Sequence, residues 1–156
     1  MKKILFCLLL FASTFITQAQ TKSVTLDLLG PSGLVGVSFD SRFKGNDGFG
    51  VSVGLAFPYG TWYGPDPLGF SIPLELNYLL GQRNNHLVLG VGMTNGIYKS
   101  SVDGKGWGYN FYCDAGYRFQ KQKGFTFGAG IKPNFVMNDW KSDGGLMPYL
   151  GLGFSF

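Results

Sequence analysis

The sequence predicts an all-β fold: an eight-stranded antiparallel up-and-down transmembrane β-barrel, behind a cleaved N-terminal signal peptide. Three observations predict it. The chain combines 25 glycines and 17% aromatic residues with only 14% charged ones. Eight runs alternate apolar and polar residues with period two, and turn residues separate them, which is the signature of half-buried strands. No run beyond the leader carries an apolar stripe at helical spacing. Glycine-rich chains that stay disordered lack aromatic and β-branched residues. This one is rich in both, so it folds, and it folds as strands.

The leader is residues 1–19. Lys2 and Lys3 open it, an apolar run follows from Ile4 to Phe11, and Thr17 and Ala19 are the small residues at the −3 and −1 places of a cleavage site. The apolar run is too short for a membrane helix. Cys7 lies inside that run and not at the cleavage point, which excludes a lipoprotein. Cleavage after Ala19 leaves one domain, residues 20–156, with one cysteine, Cys113, and therefore no intramolecular disulfide. Loss of the two leader lysines lowers the formal charge from +4 to +2. No dense basic patch points to nucleic acid.

The eight runs are Val24–Leu29, Leu34–Phe43, Phe49–Phe57, Phe70–Leu80, His86–Tyr98, Trp107–Phe119, Phe125–Phe135 and Met147–Phe156. Most have about 9–11 residues or a little more, enough for a tilted strand to cross hydrocarbon. The second, fourth and sixth connections, 44–48, 81–85 and 120–124, are tight. The third, fifth and seventh are longer, and only the first, 30–33, breaks the alternation. An even strand count with short turns at one end and long loops at the other is the plan of bacterial outer-membrane barrels, whose short turns face the periplasm.

Phasing decides which face points where. In the fourth run Phe70, Ile72, Leu74, Leu76, Tyr78 and Leu80 oppose Ser71, Pro73, Glu75 and Asn77; the third, fifth and sixth runs divide the same way. The interior of an eight-stranded barrel is just wide enough for side chains to fill. The bulky apolar face would overfill it, whereas the face of glycine, hydroxyl and charged residues fits. The polar face therefore points in and the apolar face points to lipid. Asp27, Asp40, Arg42, Glu75, Asp114, Arg118 and Lys132 all fall on the polar face. A lysine or arginine on the lipid face costs about 2–4 kcal/mol near the midplane, so seven misplaced charges would exceed a domain stability of about 5–15 kcal/mol. Inside, four acids and three bases suit a paired, hydrogen-bonded lumen network.

The chain ends Tyr149-Leu150-Gly151-Leu152-Gly153-Phe154-Ser155-Phe156. Tyr149, Gly151, Phe154 and Phe156 resemble, place for place, the C-terminal assembly signal of outer-membrane barrels. With the leader and the phased strands, the chain resembles the small outer-membrane barrel families, the OmpA transmembrane domain and OmpX. Its Ala19-Gln20 junction and glycine-rich strands resemble Bacteroidetes-type members. The resemblance implies a Gram-negative outer membrane, contact with outer-membrane lipid, periplasmic chaperones during export and delivery to the barrel assembly machinery. It carries over no catalytic residue, and fold does not fix function.

Chemistry has few suppliers. The single histidine, His86, follows a tight turn at the expected periplasmic end, and Val88 stands where a deacylase-like His-x-Ser pattern needs serine. One histidine and one mature cysteine cannot make a zinc cage. Asp66, Asp103, Asp139 and Asp143 match no EF-hand spacing. Gly90-Val91-Gly92 and Gly128-Ala129-Gly130 precede no helix, so they are not nucleotide loops. Cys113 falls on the lipid face as a small hydrophobe. No enzyme, cofactor or metal is expected. Trp62, Tyr63, Tyr98, Trp107 and Trp140 sit at the outer loops, where aromatics form interfacial girdles or a surface that captures an extracellular ligand. The expected protein is structural or interacts through its loops. The alternatives are a narrow channel or transporter for small solutes, porin-like in its charged interior, and a secreted soluble barrel around an apolar ligand, which requires the opposite phasing.

Overall fold

The computed structural model describes residues 20–30, 33–57, 68–100, 104–138 and 142–156. The leader and most of the third connection lie outside them, as do the middle residues of the first, fifth and seventh connections. Eight strands follow one another: β1 (Lys22–Leu29), β2 (Val35–Lys44), β3 (Asp47–Phe57), β4 (Leu68–Gln82), β5 (Asn85–Ser100), β6 (Gly104–Gln120), β7 (Gly124–Asn138) and β8 (Ser142–Ser155). Each pairs antiparallel with its neighbour, and β8 returns to β1 from Ser23↔Ser155 to Leu29↔Tyr149, closing the barrel. Closure removes both sheet edges and gives the edge strands' backbone groups partners.

Both described chain ends, Gln20 and Phe156, lie at one end of the barrel, termed the near end. The turns there are shorter than the sequence implies. Gly45-Asn46 alone links β2 to β3, closed by Lys44↔Asp47, and Gly45 takes the left-handed φ of 64° that so tight a turn requires. Arg83-Asn84 alone links β4 to β5. At the far end the strands run on into segments expected to be loops: β5 and β6 stay paired up to Ser100↔Gly104, and β7 and β8 up to Met137↔Ser142. These extensions consist of Gly, Asn, Ser, Asp and Lys among scattered apolar residues, so hydrophobic periodicity does not reveal them. Ladder hydrogen bonds hold them nonetheless. β5 has 16 residues and β6 has 17, against the roughly 9–11 that a tilted strand needs to cross hydrocarbon.

The side chains divide by parity. Leu26, Val37, Val53, Leu55, Leu74, Leu76, Leu89, Val91, Phe111 and Leu152 point outward and stay exposed, Leu55 at 58% and Val91 at 59%. Cys113 shares that surface. Ser23, Thr25, Asp40, Arg42, Ser71, Asn77, Thr94, Asn110, Thr126 and Asn134 point inward and are buried. Charge and amide thus occupy the place a soluble protein gives to Leu and Phe. A soluble barrel around an apolar ligand needs the opposite arrangement and is corrected by this phasing. Among the described residues no helix is long and apolar enough to cross a membrane.

Candidate functional site: the lumen

The lumen is built in layers from the near end upward. The first layer is a plug. Asn46, on the Gly45-Asn46 turn, folds inward and donates from Nδ2 to the carbonyls of Gln120 (3.0 Å) and Arg83 (3.2 Å). Gln120 Nε2 donates back to Asn46 Oδ1 at 3.1 Å. His86 is buried beside them, its Nε2 3.4 Å from Asn46 Nδ2 and its Nδ1 without a hydrogen-bond partner. The cross-strand pair Leu79↔Val88 adds buried apolar volume to the inner face.

Above the plug lies the charged layer. Arg42 Nε donates to Asp40 Oδ1 at 2.8 Å, while Nη2 contacts Asp40 Oδ2 and Asn77 Oδ1. Arg118 reaches the same carboxylate across the lumen at 3.3 Å. Lys132 bonds Glu75 at 2.6 Å and approaches Asp114 at 3.4 Å. Asn77 joins the two groups, donating to Asp40 (3.1 Å) and to Glu75 (3.2 Å). The Lys132 ammonium also stands 4.8 Å from the ring centroid of Tyr112 and 4.7 Å from that of Tyr149, within cation–π range.

Of the seven charged residues placed inward from the sequence, six meet in this layer. Asp27 does not: it accepts from Ser38, which also contacts Thr25 at 2.7 Å, and among the described residues no cation lies within 4.0 Å of it. Three participants carry no charge and escape a search for charges. Asn77 shares the inward parity of Glu75, which is the signal that finds it. Tyr112 shares that of Asp114. Tyr149 belongs to the C-terminal pattern, yet its parity with the buried Gly151 and Ser155 places it inside. That pattern is therefore split: Tyr149 and Gly151 face the lumen, while Phe154 and Phe156 face out, 59% and 55% exposed. A Cβ at Gly151 would lie 3.2 Å from Asp27 Oδ1, so this glycine leaves room for that carboxylate.

Two prolines mark the same level, Pro73 on the inner face and Pro133 exposed on the outer one. Pairing of β4 with β3 lapses at Ile72 and Pro73, and pairing of β6 with β7 lapses at Cys113 and Asp114, opposite Pro133 and Lys132. Proline lacks the donor that a ladder needs, so each lapse sits where a bond is already forfeit. A cavity of about 60 Å³ remains between the charged layer and the β1–β2 turn, bordered by Asp27, Gly36, Ala56, Pro73 and Tyr149. It has room for a few waters.

Other sequence candidates stand apart from this centre. Among the described residues no group of three His, Cys, Asp or Glu is arranged to hold a metal ion. Trp107 lies on β6 and faces outward. Trp62, Tyr63, Trp140, Asp66, Asp103 and Asp139 lie outside the described residues, as do the side chains of Tyr98 and Asp143.

These features define a class: a closed eight-stranded antiparallel barrel with an apolar exterior and a hydrogen-bonded ionic interior. No protein-family model matches the chain, and no curated protein matches it. Among solved structures it is similar to the crystal structure of the N-terminal β-barrel domain of Pseudomonas aeruginosa OprF. The TM-score is 0.64 over 89% of this chain and 98% of that one, at 16% identity. That likeness shows the shared barrel fold.

Proposed function

We propose that this chain is an integral protein of a Gram-negative outer membrane, a barrel with a filled lumen whose role is structural or is exercised through its far-end loops. One observation carries the reading: an apolar band encircles the barrel while the ion pairs lie inside. In water that arrangement would leave the large apolar surface unburied, whereas in a bilayer it is the stable one. A leader over residues 1–19, export by way of periplasmic chaperones, and recognition of Tyr149, Gly151, Phe154 and Phe156 by the barrel assembly machinery belong to the same proposal. So does the Bacteroidetes affinity, which rests on the Ala19-Gln20 junction and the glycine-rich strands.

The packed lumen favours this role over a channel. The Asn46–Gln120 plug and the Arg118–Asp40 and Lys132–Glu75 ion pairs cross the barrel, and the cavity beside them holds only a few waters. Planar-bilayer recordings should be silent; a steady conductance abolished by Glu75→Ala would support the channel reading instead. The proposal makes no use of catalysis: His86 is locked into the plug, and no serine or acid is bonded to it among the described residues. Fractionation of expressing cells should place the protein in the outer membrane, with gel mobility that changes on boiling. Recovery from the soluble periplasm would refute the reading.

A further inference from the structure

The charges beyond the leader fall into three groups. The lumen holds four acids and three bases. By chain position, the far-end connections and the strand ends beside them also hold four acids and three bases. The near end is different: Lys22, Lys44, Arg83, Lys121 and Lys123 stand there against one carboxylate, Asp47, and all six are exposed. The positive charge of the mature chain is thus concentrated on one rim.

That rim abuts the apolar band. Lys22 lies two residues before outward Val24, Lys44 follows Phe43, Arg83 lies three after Leu80, and Lys123 lies two before Phe125. At about 3.3 Å per residue each of these cations begins within about 10 Å of the last exposed apolar side chain. Long cationic side chains bury their stems against apolar surface and hold their charge in the polar layer. Aromatic rings mark the same level: Phe49 and Tyr78 stack edge-to-face with centroids 4.7 Å apart, and Tyr117 donates to Asn85 at 2.6 Å. Arg83 and Lys123 also share a cleft with Asn84, Gln122 and the Phe156 ring.

We propose that the near-end rim is a binding site for the phosphates of anionic phospholipids in the adjoining leaflet. The occupant follows from charge complementarity and from depth. Five cations at the edge of an apolar band meet headgroups before they meet anything dissolved, and clustered Lys and Arg at that level attract anionic lipid. The inference rests on the membrane reading above and adds a lipid class and a side to it.

The test uses the full mature chain in phosphatidylcholine vesicles, with trace spin-labelled phosphatidylglycerol or phosphatidylcholine as probe. Insertion is verified first by heat-modifiable mobility; a wild-type chain that never inserts overturns the membrane reading and this inference with it. In an inserted barrel the motionally restricted fraction should favour phosphatidylglycerol about fivefold, the factor one cation beside an anionic surface supplies. The preference should vanish in the variant K22Q/K44Q/R83Q/K121Q/K123Q, and in 1 M salt, where the screening length is about 3 Å. The variant K121Q/K123Q, confined to one exposed turn, should keep the fold and lower the preference. Equal association of the two lipids with the wild-type barrel overturns the proposal, as does a preference that survives all five substitutions.

Discussion

Replacing Lys132 by methionine probes the packed lumen most directly. The ammonium lies 2.6 Å from Glu75 and 3.4 Å from Asp114, and both carboxylates are buried. Methionine keeps most of the chain length and the contact with the Tyr112 and Tyr149 rings, so the change removes charge rather than volume. Two carboxylates are then left facing each other without their cation. An exposed pair would contribute about 0–1 kcal/mol; breaking a buried one costs about 3–5 kcal/mol. Burial selects the larger figure, a serious fraction of a stability of about 5–15 kcal/mol. The assay is urea unfolding of the barrel refolded into vesicles, followed by tryptophan fluorescence and by heat-modifiable mobility at neutral pH. The midpoint should fall with little change in slope. Adding Glu75→Gln should restore much of the loss, because the amide no longer needs a cation. A Lys132→Met barrel within about 1 kcal/mol of wild type, or a double variant whose loss is the sum of the two single ones, refutes the reasoning.

Four further outcomes follow from other parts of the wall. A Cβ at Gly130 would lie 2.6 Å from both the Ala115 carbonyl oxygen and Gly116 Cα, and backbone cannot step aside, so Gly130→Ala should cost about 1–3 kcal/mol. At Gly128 the nearest atom is 3.8 Å away, and Gly128→Ala should stay within about 0.5 kcal/mol by the same unfolding assay. Leu74 points outward, so Leu74→Arg should cost about 2–4 kcal/mol in vesicles; a neutral result would place that face in water. Phe156→Ala should lower the amount of barrel reaching the outer membrane in cells while leaving the circular dichroism of refolded protein unchanged. Wild-type yield would remove Phe156 from the assembly signal.

The face of each strand was legible in the sequence because register in such a sheet is all or nothing. A slip of one residue would send Leu74 inward and Glu75 outward. The strand ends were not legible for a related reason. Beyond the apolar zone nothing rewards alternation, so Lys99, Ser100 and Gly104 carry strand structure without a strand pattern, and backbone pairing alone defines it. The charge network was legible as a set of residues but not as a geometry. Parity placed Asp27 inside with the other six, yet its height on β1 gives it Ser38 instead of a cation. Asn46 was hidden altogether: it sits in a turn, where no periodicity exists, and only the fold brings it to Gln120, 74 positions away.

The ties within the lumen bear on what the barrel is for. Arg42 on β2 reaches Asn77 on β4, Arg118 on β6 reaches Asp40 on β2, and Lys132 on β7 reaches Glu75 on β4. None of these pairs joins adjacent strands, so each braces the wall across the interior and adds to a ladder that is already closed. Any transport path would have to break these braces in turn, each at the cost of a buried charge without its partner. A wall braced in this way is suited to holding its ends still. One end is a cationic rim sealed by Asn46. The other carries β5–β6 and β7–β8 as ribbons paired up to Ser100↔Gly104 and Met137↔Ser142. Recognition by such a molecule is therefore expected at those ribbons and their loops, on a platform whose rigidity comes from the charges packed beneath it.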